Sequence, residues 1–300
     1  MAQPSAHLPR VDNLRGALWM LASAAAFTVM TTLIKYLGDA YPATVQTFYR
    51  QAAGLIVLAP IILRDPRGAF RTTRPGILLF RSSAGTVGMI LAFYAYQKLP
   101  LADANALSFT RTLWIVPLAA FALGETVGPR RAIAACVGFI GVLLMLQPQN
   151  GFNVGLAGLA ALASAFLFAL TITGMKILTR DHSTTTLLVW AAALGFVFAL
   201  PPALLEWRWP TLPDLGLLAA MGVLGVVTQA CYIKGMALGD AAAMAPIDYT
   251  RLVMSLAIGL VLFQETPNPI TMAGAAIVIA STLYITWREA RLVRPPVQPE

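Results

Sequence analysis

Residues 21–37 read LASAAAFTVMTTLIKYL and residues 162–178 read LASAFLFALTITGMKIL, so that Phe27 falls on Phe168 and Lys35 on Lys176 at an offset of 141. The offset continues into the next apolar block, where Thr44, Gly54 and Pro60 meet Thr185, Gly195 and Pro201. It becomes 140 further on, where Thr110-Arg111 meets Thr250-Arg251 and Glu125-Thr126-x-x-Pro129 meets Glu265-Thr266-x-x-Pro269. Alanine-rich helices align by chance over one segment. A register that persists across four segments and carries Arg, Lys, Glu and Pro with it marks an internal duplication.

The duplicated units are membrane-spanning. The chain has 300 residues, 58% hydrophobic and 11% charged, with mean hydropathy +0.72. A soluble domain is about a quarter charged. The apolar residues form blocks of about 20, the length that crosses some 30 Å of hydrocarbon as a helix, and do not alternate as the strands of an outer-membrane barrel would. Spans are expected at 17–37, 44–64, 76–97, 101–123, 131–148, 155–178, 185–205, 214–236, 241–263 and 270–287. The first block is long for a signal peptide and no clean small-x-small cleavage site ends it before Lys35, so it counts as a span. Cys136 and Cys231 both lie in apolar blocks and read as packing residues.

Five spans per copy is an odd number, so the second copy enters the membrane inverted relative to the first. The expected fold is therefore an all-α membrane protein of ten transmembrane helices, arranged as two inverted five-helix repeats over residues 1–148 and 149–300. One face collects fourteen Lys and Arg residues and the other only Lys35, Lys98 and Arg208, which places both termini in the cytoplasm by the positive-inside rule. The net charge of +8 is explained by this asymmetry, and nucleic acid is not an expected partner.

Inverted five-helix repeats suit alternating access, with a small-molecule site where the halves meet. An intramembrane hydrolase would need a metal cluster, an aspartate dyad or an activated serine, and none of these patterns is present; His7 and His182 lie outside the spans. A channel usually builds its symmetry from several subunits, whereas this chain contains its own two-fold. No metal or cofactor is expected. A monomer suffices, and a homodimer stays open.

Four arginines lie within spans, where each costs about 2.5–3.5 kcal/mol at a helix centre on insertion scales. Arg50 and Arg81 sit in the outer thirds and are read as reaching toward headgroups. Arg111 and Arg251 sit near the midpoints of spans 4 and 9. Asp248 is the carboxylate at comparable depth, three residues before Arg251 and on the same helix face. One reading is a self-neutralising ion pair. The other is a site where Arg111 or Arg251 holds a substrate carboxylate through its fork and Asp248 takes an ammonium group or a proton. Ser108 matches Asp248 in the first repeat, so the two halves differ as the two ends of a zwitterion differ. Pro117 and Pro246 fall in these same spans and are expected to interrupt them and serve gating. Phe27, Phe168, Tyr94, Tyr232 and Trp114 are candidates for the walls of the pocket, whereas Trp207, Trp209 and Trp287 read as interfacial anchors. Gly85, Gly88, Gly222 and Gly225 read as points of close helix contact. The two Glu-Thr segments read as helix starts, with Glu125 and Glu265 at opposite faces bonding to backbone donors.

Two five-span halves, each closing with an L-G-E-T or Q-E-T segment before a glycine-rich span such as Gly138-x-x-Gly141-Val142-Leu143-Leu144, together with Phe-Thr-Arg and Tyr-Thr-Arg segments, resemble the EamA family of the drug/metabolite transporter superfamily. The resemblance implies ten helices, an inner-membrane location and export or exchange of small metabolites. The branch it resembles most is that of the YddG-type exporters of aromatic amino acids. Nucleoside-like or cationic solutes are the alternative cargo.

Overall fold

The computed structural model describes residues 12–123, 128–146, 155–178, 182, 184–238, 241–266 and 268–293. Thirteen helices are found there: α1 (Asn13–Tyr36), α2 (Ala43–Arg64), α3 (Pro66–Ala69), α4 (Pro75–Lys98), α5 (Leu101–Ser108), α6 (Arg111–Leu123), α7 (Pro129–Leu146), α8 (Leu156–Leu178), α9 (Thr184–Leu205), α10 (Leu212–Leu238), α11 (Ala241–Asp248), α12 (Thr250–Leu262) and α13 (Pro269–Val293). Eight of them are long and apolar enough to cross a membrane. The fourth and ninth spans are each two helices, α5–α6 and α11–α12, and α3 is a single turn in the loop between the second and third spans. Starts follow local chemistry. Asp12 accepts the Arg15 N–H at 3.0 Å, Asn268 accepts the Ile270 N–H at 3.0 Å, and Pro75, Pro129 and Pro269 take first-turn positions that need no donor.

The interruptions do not fall at Pro117 and Pro246, which lie inside α6 and α11. They fall at Phe109-Thr110 and at Tyr249, positions matched by the 140-residue offset. In the first break the Phe109 N–H bonds to Ala106 O and the Thr110 N–H to Leu107 O; in the second the Tyr249 N–H bonds to Pro246 O. These are three-residue turns in place of four. At the same turns Thr110 Oγ1 donates to Leu107 O at 2.6 Å and Thr250 Oγ1 to Ile247 O at 2.7 Å.

Packing across the two halves follows a two-fold. α1 lies along α10 and α4 lies along α8, while α2 packs on α9 and α7 on α13. Under the repeat offsets, α1 with α10 maps onto α8 with α4, and the other two pairs map onto themselves. Individual contacts obey the same operation. Ser23 Oγ donates to Thr228 O at 2.9 Å; the mates of these residues are Ser164 and Gly88, and a Cβ on Gly88 would stand 3.6 Å from Ser164 O. Between α7 and α13 the backbones meet at Gly141 and Gly274, where an added Cβ on either would come within 3 Å of the other's carbonyl oxygen. Helices of opposite direction related in this way make two inverted five-helix repeats.

Candidate functional site

The two broken spans cross at the centre of the bundle. Phe109 stacks on Tyr249 with ring centroids 4.3 Å apart, and the two are repeat mates. A residue that touches its own mate lies on the pseudo-two-fold axis, so this ring pair marks the junction of the halves. Below it Asn105 donates to Ser255 Oγ at 2.6 Å and to Leu101 O at 3.1 Å, and receives the Tyr96 hydroxyl at 3.3 Å on its amide oxygen. Tyr249 closes the other side on Thr282.

The helix breaks bring three charges together there. Asp248 Oδ2 lies 3.4 Å from Arg251 Nη2 and 3.8 Å from Arg111 Nη2. The two guanidinium groups have different surroundings. Arg251 is 6% exposed and sits between aromatic faces, its Cζ 4.2 Å from the Phe109 ring centre and 4.9 Å from that of Phe27. Arg111 is 32% exposed, and no ring clamps it among the described residues. Strict two-fold symmetry would place Arg111 against Phe168 and Tyr249. The single carboxylate at 248, opposed by Ser108, breaks that symmetry. Two cations share one anion, so the cluster carries a net positive charge.

Of the residues singled out from sequence, Arg111, Arg251, Asp248 and Phe27 form one cluster. Ser108 is one step away, its hydroxyl donating to Asn105 O at 2.7 Å, and Tyr232 lies on α10. Phe168 packs against the α4 face at Gly88, and Trp114 joins Phe139 and Phe166 in a separate ring cluster at 4.8 and 5.2 Å. Phe48 and Tyr49 pack on Trp207 at 5.4 and 5.7 Å, and Trp209 is 83% exposed. Tyr94 lines a cavity of about 540 Å³ at the end of the bundle that carries Lys98 and Arg208, together with Thr44, Gln97 and Glu206. That cavity shares no wall residue with the arginine cluster.

Arg50 and Arg81 each lie against a neighbouring helix. Arg81 Nε donates to Thr171 O on α8 at 3.3 Å, and the Arg50 side chain turns inward against α10.

At the Lys98 end a second charge cluster closes the bundle. Lys35 forms an ion pair with Glu265 and also donates to Leu99 O at 2.6 Å, while the other Glu265 oxygen accepts the Leu101 N–H at 2.8 Å. The side chains are 14% and 16% exposed. The expected bond of Glu265 to a backbone donor is therefore found, at the first turn of α5, and Gln264 takes φ 54° to bring the glutamate round. Glu125 and Thr126 lie outside the described residues. The repeat offset matches Lys35 to Lys176 and Glu265 to Glu125, but it could not have shown that Lys35 meets Glu265. Breaking a buried pair costs about 3–5 kcal/mol when one partner is removed. Glu265→Gln and Lys35→Met are each expected to lower the thermal unfolding midpoint, and the double variant is expected to lose less than the sum. Additive losses in a double-mutant cycle would mean that the pair contributes nothing.

A bundle of paired, inverted membrane helices with charged groups held at its centre is the architecture of a carrier. The profile of the EamA-like transporter family matches residues 14–147 and 155–287, and the chain belongs to that family, within the drug/metabolite transporter superfamily. It is 30% identical over 279 residues to the S-adenosylmethionine uptake transporter of Rickettsia prowazekii, covering 93% of this chain and 94% of that one. It is 30% identical over 287 residues to the riboflavin transporter of Vibrio cholerae, covering 94% and 96%, and 24% identical over 272 residues to the pseudopaline exporter CntI of Pseudomonas aeruginosa, covering 90% and 95%. A solved crystal structure, 20% identical, superposes with a TM-score of 0.63 over 93% of this chain and 99% of its own, and shares the fold. The chain is thus a multi-pass membrane transporter whose relatives take chemically different solutes in both directions.

Proposed function

We propose that this transporter carries a small solute bearing an α-amino-acid group, an amino acid or a larger molecule built on one, across the inner membrane by alternating access. Residues 1–148 and 149–300 move as the two halves, with both termini in the cytoplasm. The observation that carries the reading is the unequal pair of arginines. Asp248 cannot neutralise both, and Arg111 is the looser and more exposed partner. Arg111 is therefore the arm that takes the solute carboxylate, and Arg251, clamped between rings, holds Asp248 in place to meet an ammonium group or a proton. Phe27 and Tyr232 border this place, and Tyr94 lines the outer mouth. Pro117 and Pro246 lie in the broken spans beside the gate that the breaks form.

Amino-acid export is one form of this reading. Uptake of a nucleoside-linked amino acid such as S-adenosylmethionine is another, and it is supported by the relative named above. A carboxylate-free solute of the riboflavin kind is the competing cargo, supported by the second relative. Purified protein in proteoliposomes, offered labelled phenylalanine, S-adenosylmethionine, riboflavin and a quaternary ammonium drug, separates them. Saturable flux of phenylalanine or S-adenosylmethionine is expected. Flux of riboflavin or the drug alone would overturn the amino-acid reading and leave the carrier intact.

A further inference from the structure

Three helices each carry a row of residues from the arginine cluster to the Lys98 end. The spacing is four, which keeps each row on one helix face: Phe27, Thr31 and Lys35 on α1, Phe109, Asn105 and Leu101 on α5 and its C-cap, and Arg251, Ser255 and Gly259 on α12. Eight residues of helix advance about 12 Å. At the inner end of the rows the Arg251 guanidinium lies between the Phe27 and Phe109 rings. At the middle the Asn105 amide donates to Ser255 Oγ at 2.6 Å, and Thr31, Asn105 and Ser255 are fully buried. At the far end Glu265, which follows α12, pairs with Lys35 and accepts the Leu101 N–H.

The polar bonds of this seam join one half of the chain to the other: Asn105 to Ser255, Lys35 to Glu265 and Leu101 to Glu265. The middle of the seam is dry, so it is shut in this structure. Its chemistry suits opening. Removing one member of a buried ion pair strands a charge, but parting the two into water restores the hydration that both gave up to meet, which offsets much of the lost attraction. An apolar seam has no such return, and exposing it costs about 25 cal/mol per Å². The glutamate is folded back over the end of α12, its N–H bonding to Gly259 O at 2.9 Å, and a Cβ on Gly259 would stand 2.8 Å from the Glu265 oxygen that takes the Leu101 N–H. The repeat mates of Asn105 and Ser255 are Ala245 and Ile115, residue types without a side-chain hydrogen-bonding group, so the bond behind the ion pair has no repeat counterpart.

We infer that Lys35 and Glu265 are the gate of the Lys98 end. Their ion pair, with the Asn105–Ser255 bond behind it, holds the two halves together there, and both part when solute passes between that face and Arg111. The inference rests on the alternating-access reading above and adds to it the side chains that close this face.

In a protein freed of Cys136 and Cys231, Ser255→Cys puts a thiol in the buried middle of the seam. Its modification by a membrane-impermeant thiosulfonate is followed in oriented proteoliposomes from each face, well below the unfolding midpoint of every variant. From the face that carries Lys98, Glu265→Gln, Lys35→Met and Gly259→Ala are each expected to speed modification by about tenfold or more, since the rate follows the population of the open form, while modification from the opposite face does not rise. Gly259→Ala keeps both charges and displaces only the carboxylate. Lys35→Arg, which keeps the pair, is expected to stay near the rate of the Ser255→Cys parent. A pair that only staples the fold would lower the unfolding midpoint and leave the rates unchanged or raise them equally from both faces. Either result overturns the gate, as does a Lys35→Arg protein modified as fast as Lys35→Met. Ser108→Cys in the same vesicles separates the gate from the reading beneath it. Modification of Ser108→Cys from both faces, with no effect of Glu265→Gln on Ser255→Cys, removes the gate and leaves alternating access standing. Modification of Ser108→Cys from neither face removes both.

Discussion

An Asp248→Asn protein is expected to lose about 3–5 kcal/mol of folding stability, because one carboxylate stands between two guanidinium groups and its removal leaves both cations facing each other inside a membrane bundle. The loss is read as a lower unfolding midpoint in nanodiscs and a smaller folded yield. Asparagine keeps the shape and a hydrogen-bond acceptor, so the effect isolates charge. Adding Arg251→Gln to Asp248→Asn is expected to recover part of the loss, since one of the two uncompensated charges then disappears. Residues that share a partner do not act additively, and the sign of the coupling is the diagnostic quantity. If the two changes add without coupling, the three side chains are neighbours only in position.

The two arginines are expected to separate in function. Arg111→Gln should leave the folded protein intact, because its side chain is one-third exposed and its nearest carboxylate oxygen is 3.8 Å away. It should lower transport of an amino-acid-bearing solute at sub-saturating concentration by about 30- to 150-fold, the equivalent of about 2–3 kcal/mol for a lost hydrogen-bonded charge contact. The same solute without its carboxylate should move at nearly the same rate in variant and wild type. Arg251→Gln should instead reduce folded yield and transport together, since the aromatic faces of Phe27 and Phe109 are built around its guanidinium. Wild-type flux in Arg111→Gln would remove that residue from the solute's path.

The repeat made the architecture legible. Because Phe27 lies over Phe168 and Arg111 over Arg251, five spans per copy and their inversion follow from counting, and helix ends such as Pro129 and Pro269 follow from local capping. The breaks were harder to place. The polar runs at 108–112 and 248–251 mark the stretch without fixing the turn, and proline at 117 and 246 suggested other positions. The trace of the breaks in sequence is the Ser-Phe-Thr-Arg and Asp-Tyr-Thr-Arg pattern, where polar side chains crowd one turn.

The candidate site was legible in its charges and not in its pairings. Arg111, Asp248 and Arg251 stood out because charge is expensive at that depth. Asn105 and Ser255, 150 residues apart, had no signal beyond being polar in apolar helices. Nothing in the repeat offset could have joined Lys35 to Glu265, because the offset relates mates, whereas the ion pair joins one residue of the first half to another of the second. The place of Arg50 along α2 left its direction open; the absent side chain of Gly225 gives it room against α10.

The proposed function requires that solutes reach the charged centre between the inverted halves from both sides of the membrane. Ser108 sits beside that centre, and Cys136 and Cys231 are the cysteines to be removed first. In the resulting cysteine-free protein, Ser108→Cys in oriented proteoliposomes is treated with a membrane-impermeant thiosulfonate from one face and then, in a second sample, from the other. The expected result is modification from both faces, slowed in each case by a transported solute. Modification from neither face, or from one face regardless of solute, contradicts alternating access to the arginine cluster.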